Sequence, residues 1–185
     1  MRTVKKIAAI LALTAVGAPN ATAQIQAENL VSRMPEGFHV VHSQTENRDT
    51  IVEMVPVTQT RENWQTLLKV NILRRTTLSA LDFQLQLAAG WERACPVSNR
   101  TPIQTGLDNG YEFAVDLLMC AQAPEMGDPT TVLVKSIRGR DALYSLQVSM
   151  RGDIEVDETF EWIRYMRGIQ VCDTRDPDHP CPEGW

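Results

Sequence analysis

Apolar and polar residues alternate along most of the chain after its first forty positions. Alternation at every second residue is typical of a strand that buries one of its two faces. The pattern predicts about six to seven strands, and the candidate segments are residues 38–43, 50–55, 64–73, 102–107, 111–120, 130–137 and 142–150. In the last segment, for example, Tyr144, Leu146 and Val148 alternate with serine and glutamine.

The pattern changes to a helical period after the third strand. Leu78, Leu81 and Leu85 recur at steps of three and four residues, which places them on one stripe of a helix. Thr77 or Ser79 can cap its first turn, since a side-chain oxygen there accepts a hydrogen bond from a free backbone N–H. The helix is predicted to run to about residue 93.

The pattern predicts a second helix after the last of these strands. It is predicted to begin near Asp157 and to end at Gly168, because glycine is favoured just after the last helical turn. The apolar residues that it carries are Phe160, Trp162, Ile163, Tyr165 and Met166.

Short turns connect neighbouring strands. Asn109-Gly110 is the strongest hairpin signal, because both residue types tolerate positive φ. The element order is three strands, a helix, four strands and a helix, which predicts an α+β fold with a largely antiparallel sheet. A nucleotide-binding parallel sheet is disfavoured, since strands and helices do not alternate and no G-x-G-x-x-G or G-x-x-x-x-G-K-[ST] string occurs.

The first 23 residues have a pattern of their own. A basic start is followed by the apolar run 7–16 and by Ala21-Thr22-Ala23, which fits the cleavage site of a secretory signal peptide. The apolar run is too short to span a bilayer of about 30 Å. We therefore expect cleavage near Ala23-Gln24, a periplasmic or secreted protein, a polar lead at 24–37 and one domain at 38–185.

Charge argues against nucleic acid as a partner. The whole chain has 18 basic and 23 acidic residues and a net charge of −5. Three of the basic residues and none of the acidic ones lie in the first 23 positions, so the mature chain has a net charge of −8. Such a balance disfavours a protein that binds phosphate backbones.

The four cysteines agree with export, because an even number in an exported chain indicates disulfides. Four cysteines allow three pairings, of which we favour Cys95 with Cys120 and Cys172 with Cys181, since each joins neighbours in sequence. A metal site is the alternative, because His179 lies between the last two. The spacings match no zinc pattern.

The element order resembles that of the photosystem PsbP-like family, whose domain packs helices against an antiparallel sheet. Glu62-Asn63-Trp64, the hairpin 135–144 and Val171-Cys172-Asp173 are also similar to a family of small exported proteobacterial proteins of unknown function. The resemblance covers most of 38–181. It implies a fold and a periplasmic location, and it brings no catalytic residue.

Candidates for catalysis are few. His39 and His42 are three apart, which on a regular strand places them on opposite faces, so they share a metal only if the strand bulges. With His179 they are the only histidines, and no G-x-S-x-G motif is present. We expect no cofactor and no metal.

Acidic pairs have simpler interpretations than catalysis. Asp157 and Glu158 lie where a helix N-terminus favours negative charge, and Glu53 with Glu62 would need to face one cleft. A further acidic group, at 173, 176 and 178, lacks the glycine and the distal glutamate of a calcium loop.

Arginines flank one predicted hairpin. Arg138, Arg140 and Arg151 are a candidate surface for a partner that carries carboxylates or phosphates, because a guanidinium binds such groups with two hydrogen bonds. The alternative is a sheet edge that charge protects against aggregation.

Together these patterns predict a non-enzymatic, exported interaction or accessory protein with an exported protein as partner. The alternatives are a periplasmic protein that binds a small molecule or lipid between sheet and helix, and a secretion-system immunity protein. A hydrolase would need a cleft with convergent titratable groups.

Overall fold

A computed structural model describes residues 27–121 and 128–183. The predicted signal sequence and most of the loop before residue 128 lie outside the described residues. The elements in chain order are β1 (Glu28–Val31), β2 (Phe38–Glu46), β3 (Asp49–Pro56), β4 (Thr66–Leu73), α1 (Ala80–Ala94), β5 (Ser98–Asp108), β6 (Tyr111–Cys120), β7 (Thr130–Arg138), β8 (Leu143–Arg151), α2 (Val156–Arg167) and β9 (Gln170–Asp173).

Seven strands form one antiparallel sheet in the order β2-β3-β4-β8-β7-β6-β5. They correspond to the seven segments that the alternation predicts, and the α+β class is confirmed. Asn109 and Gly110 both have positive φ, of 49° and 78°, in the turn between β5 and β6. A two-residue turn of this kind matches the twist of the strands that it joins.

A second, two-stranded sheet is formed by β1 and β9. It pairs Glu28 with Asp173 and Val31 with Gln170 in antiparallel register. The sequence predicts only a polar lead around β1. That interpretation missed the strand, because four residues carry too little alternation and their partner lies at the other end of the chain.

The two helices cover opposite faces of the large sheet. Ala88 of α1 packs with Leu118 and Val132, whose side chains share one face of β6 and β7. Met166 of α2 packs with the opposite face, together with Leu133 and others. Neither helix in the described ranges is long and apolar enough to cross a membrane.

The ends of the helices follow from their sequences. Ser79, rather than Thr77, caps α1, and its Oγ accepts a hydrogen bond from the Asp82 N–H at 3.0 Å. α2 begins at Val156, one residue before the predicted start, and Gly168 follows its last turn. A side-chain cap therefore fixes the start of α1, whereas Glu155, the residue before α2, forms no such hydrogen bond.

The larger core lies on the α2 face of the sheet. Its fully buried side chains come mainly from the central strands and the end of α2, and they include Leu68, Leu133, Ile137, Tyr144, Leu146, Val148, Met150, Met166 and Ile169. α2 completes this core through Trp162, which meets Phe38 edge to face at a centroid distance of 5.8 Å. Burial of these residues holds α2 against the sheet.

Both predicted disulfides are present. Cys95–Cys120 joins the residue after α1 to the end of β6, and Cys172–Cys181 joins β9 to the C-terminal segment. The second bridge closes a loop whose His179 stacks on Tyr111 at a centroid distance of 4.4 Å. A side chain at position 110 would collide with the His179 ring, so the glycine of the hairpin also makes room for this contact.

Replacing Cys172 and Cys181 together by serine should lower the free energy of unfolding by about 2.6 kcal/mol. The bridge spans 9 residues, and the chain-entropy relation gives this value for a loop of that size. Urea unfolding of the oxidised wild type and of the double variant measures the difference. A difference below about 0.5 kcal/mol, which is typical of neutral surface changes, would contradict the expectation.

Candidate functional site

A cleft of about 380 Å³ opens between α2 and the β5–β6–β7 part of the sheet. We call it the α2 cleft. Its apolar lining is Ile103, Leu107, Phe113, Val115, Ile163 and Met166, and its polar lining is Gln104, Asp108, Lys135 and Arg167. A mixture of apolar side chains and convergent polar groups is found at small-ligand sites, and the volume lies within their range.

Lys135 lies at the base of this cleft and is only 3% exposed. Its ammonium donates to Asp108 Oδ2 at 3.0 Å, to the Met166 carbonyl at 3.2 Å and to the Ile169 carbonyl. The two carbonyls belong to the end of α2 and the residues after it, where free backbone acceptors and the helix dipole favour a cation. Lys135 therefore anchors the end of α2 to the middle of the sheet.

The surroundings of Lys135 shift its titration. Burial lowers the pKa of the ammonium, and the hydrogen bond and negative charge of Asp108 partly oppose that effect. The ammonium also lies 5.0 Å from the centre of the Phe113 ring, within the range of a cation–π contact. A buried titratable group beside a cleft is a marker of functional sites, although it also occurs in structural ion pairs.

The mouth of the α2 cleft is apolar on the β5 side and cationic on the helix side. Leu107 is 72% exposed, and Ile103 is 36% exposed. Arg167 is exposed and forms no ion pair or hydrogen bond with any residue in the described ranges. The cleft therefore combines an apolar floor with one cation that has no internal partner in the described structure.

Gly106 leaves room for the Phe113 ring. It stands opposite Phe113 in the β5–β6 pairing, and a Cβ at this position would come within 3.3 Å of the Phe113 ring. Phe113 itself is buried, with 9% of the residue exposed, and it lines the inner part of the cleft.

Two other clefts differ from the α2 cleft in their polar groups. The larger one, of about 710 Å³, is formed by β1, the end of α2 and Pro182-Glu183, and its charged groups are of both signs. The other, of about 430 Å³, contains Glu28 and Tyr144, which hydrogen-bond to each other at 3.0 Å. Neither contains a buried cation.

The predicted arginine surface is divided between the two ends of its hairpin. Arg138 stands opposite Leu143 beside the β7–β8 turn, whereas Arg151 is at the far end of β8. Eight residues of strand separate these ends by roughly 27 Å. Arg138 donates to the Thr76 carbonyl at 2.9 Å, and Arg151 stacks on the Trp64 ring at 3.7 Å. Arg140 lies 3.9 Å from Asp176.

The histidines are not gathered into one site. His39 stands opposite Val55 and His42 opposite Glu53, because the strand is irregular between Val40 and His42. The two rings therefore share a face, and the expectation of opposite faces was wrong because β2 contains a bulge. His179 contacts Tyr111 of β6. This strand lies five strand spacings, or about 24 Å, from β2, which carries the other two histidines.

The acidic candidates have internal partners or lie in solvent. Arg175 donates to both carboxylate oxygens of Asp173, at 2.8 and 2.6 Å, and these hydrogen bonds lower the pKa of Asp173 to about 2. Asp157 and Glu158 are in the first turn of α2. Among residues 27–121 and 128–183, no three His, Cys, Asp or Glu side chains are grouped so that they could hold a metal ion.

The residues of the α2 cleft are not among the site residues predicted from the sequence. Lys135 had a usable signal, since it stands within the mostly apolar run 132–137 and a lysine inside such a strand needs partners. Asp108 and Arg167 had none, because each lies in a different element and only the packing of α2 brings them together.

Comparisons with known proteins add little to this geometry. No family model matches the chain, and no curated protein matches its sequence. Among solved structures, the Ran-binding protein Mog1p of Saccharomyces cerevisiae is similar, with 14% identity and a TM-score of 0.47 over 80% of this chain and 97% of that one. A second Mog1 structure, of a mutant protein, gives 14% and 0.48, over 79% of this chain and 92% of that chain.

A third similar structure is LpqN of Mycobacterium tuberculosis, which is described as involved in cell envelope biogenesis. It is 10% identical, with a TM-score of 0.39, over 81% of this chain and 87% of that one. None of these three is described as PsbP-like, so that part of the resemblance stays a prediction. The fold class rests on the sheet topology given above.

Proposed function

We propose that this chain is an exported, non-enzymatic binding protein whose ligand is a small, largely apolar molecule held in the α2 cleft. The observation that carries the proposal is the cleft itself, with its floor of Phe113, Val115 and Met166 and its open mouth at Leu107. A ligand between sheet and helix is also one of the alternatives that the sequence favours. Export is supported by the signal-like residues 1–23 and by two disulfides.

A neutral apolar dye tests the proposal. Nile red should bind the oxidised mature chain with one saturable site, because the cleft is the size of a single small ligand. Leu107→Asp places a charge at the mouth of the cleft on a side chain that is 72% exposed, so the fold is little affected. The dissociation constant for the dye should rise about tenfold, which is about 1.4 kcal/mol.

Val57→Asp is the matched control. Val57 is 64% exposed and does not line the α2 cleft, so this change adds the same charge elsewhere on the surface. Dye binding by this variant should equal that of the wild type. Absence of a saturable site, or equal weakening by both substitutions, would reject the α2 cleft as the binding site.

A protein partner is the second candidate function. It is favoured by Val156 and Phe160, which stand one helical turn apart on α2 and are 68% and 56% exposed. Neither residue lines the cleft. A photo-crosslinking residue at position 160 should then give an adduct of one defined mass in cells, and the same group at the exposed position 86 on α1 should not.

A further inference from the structure

The charges of the α2 cleft restrict what it can bind. Its lining contains two cations, Lys135 and Arg167, and one anion, Asp108. Lys135 and Asp108 form an ion pair at 3.0 Å, so their charges largely cancel. Arg167 is left as a single positive charge beside an apolar floor, with no partner in the described structure.

An arginine in this setting favours a carboxylate. The planar guanidinium donates two parallel hydrogen bonds to a carboxylate, and the neighbouring apolar wall can hold the apolar part of the same ligand. Lys135 is the second cation of the lining, but its ammonium already donates to Asp108 and to two carbonyls. It is therefore not free to neutralise a second negative charge on the ligand. One net positive charge matches one carboxylate.

We propose that the ligand of the α2 cleft is an amphipathic monocarboxylate, with its apolar chain or ring on Phe113, Val115 and Met166 and its carboxylate on Arg167. This proposal rests on the function proposed above and names the chemical class of the ligand. Lys135 does not bind the ligand directly. It positions the end of α2, and with it Arg167, over the sheet.

Three ligands of equal chain length separate the effect of charge from that of apolar contact. Decanoate, decanol and decylamine are each titrated against the protein with bound Nile red, and displacement gives their dissociation constants. Decanoate should bind about fivefold more tightly than decanol, which is the upper range for an exposed ion pair, and decylamine should bind least. The advantage of decanoate should shrink with added salt, because the Arg167 side chain is exposed.

Two variants on the same helix locate the charge. Arg167→Gln should reduce the preference for decanoate over decanol to twofold or less while the affinity for decanol is unchanged. Arg164→Gln is the control, since Arg164 is 70% exposed, lies 3.9 Å from Glu161 and does not line the α2 cleft. The preference of Arg164→Gln for decanoate over decanol should equal that of the wild type.

The outcomes separate the two proposals. Equal binding of decanoate and decanol, or tightest binding of decylamine, would overturn the carboxylate proposal and leave the apolar cleft as a ligand site. An equal loss of preference in both arginine variants would overturn the role of Arg167. Failure of Nile red and of all three ligands to bind would reject the proposed function itself.

Discussion

Glu28→Ala is expected to lower the free energy of unfolding by about 3 kcal/mol. The Glu28 carboxylate is buried, with 4% of the residue exposed. It accepts hydrogen bonds from the backbone N–H groups of Arg140 and Asp141 and from the Tyr144 hydroxyl at 3.0 Å. Alanine would leave two partly buried N–H groups and the buried Tyr144 hydroxyl without these acceptor oxygens, and a buried group left unpaired costs about 1–3 kcal/mol.

The position of Glu28 makes the effect larger than that of a single contact. Its side chain fastens β1 to the β7–β8 turn, at a sequence distance of 112 residues from Arg140. A methyl group on Gly139 would collide with the carboxylate, so the turn itself is shaped to receive it. Loss of the carboxylate therefore also weakens the docking of the β1–β9 sheet against the core.

Glu36→Ala is the matched control for this experiment. Glu36 lies in the connection between β1 and β2 and is exposed, so its removal should change stability by less than about 0.5 kcal/mol. Urea unfolding gives both values, and amide exchange at Arg140 and Asp141 should be faster only in Glu28→Ala. Equal stability of the two variants would show that the Glu28 carboxylate contributes nothing to the fold.

The contrast between β7 and β1 shows how far the sequence could predict this fold. The run 130–137 predicts a buried strand by itself, because its residue types and its turn signals are local. β1 gives no such signal. Its four residues become a strand through backbone bonds to β9 and through Glu28, whose hydrogen-bond donors are more than a hundred residues away. Local pattern cannot specify a partner at that distance.

The two disulfides and the arginines illustrate the same limit at the level of sites. Cys172 and Cys181 could be paired from sequence because a loop of nine residues closes easily. Arg138 and Arg151 were grouped because they flank one hairpin, yet the length of its strands sets them at opposite ends of the sheet. Residues that are close along the chain are also close in space when a short loop joins them. Residues at the two ends of a long strand are not.

The α2 cleft depends on packing that no local pattern encodes. α2 crosses the sheet so that Ile163 and Met166 face β5 and β6, and this crossing is fixed by Trp162 against Phe38 and by Lys135. The sequence does contain the apolar stripe of α2 and the isolated lysine of β7. Their combination into one cleft becomes visible only when the helix is placed on the sheet.

Lys135→Met is expected to lower the free energy of unfolding by about 3 kcal/mol, although methionine fills a similar volume. The Met166 and Ile169 carbonyls would lose their charged donor, and Asp108 would lose its cation. Asp108 is 28% exposed at its side chain and can turn to water, so the buried carbonyls account for most of the loss. Urea unfolding at neutral pH measures it.

The stability difference between wild type and Lys135→Met should depend on pH in the alkaline range. A change in packing alone would not give this dependence. Burial lowers the pKa of Lys135 from its ordinary value of 10.5, so as the pH rises the folded protein releases this proton before the unfolded chain does. The unfolded state then holds more protons than the folded state. The contribution of this group to the free energy of unfolding therefore increases with pH, up to about the pKa of the lysine in the unfolded chain. The wild type should therefore gain stability relative to Lys135→Met as the pH rises towards 10.5.

Lys69→Met is the control for both measurements, because it removes a lysine that does not anchor α2. Lys69 is 33% exposed at its side chain and pairs with Glu53 at 3.7 Å on the other face of the sheet. Its loss should change stability by less than about 1 kcal/mol, as is usual for an exposed ion pair. A stability difference between wild type and Lys135→Met that is small at neutral pH would contradict the anchoring role of Lys135, and one that narrows as the pH rises would contradict the lowered pKa of its ammonium.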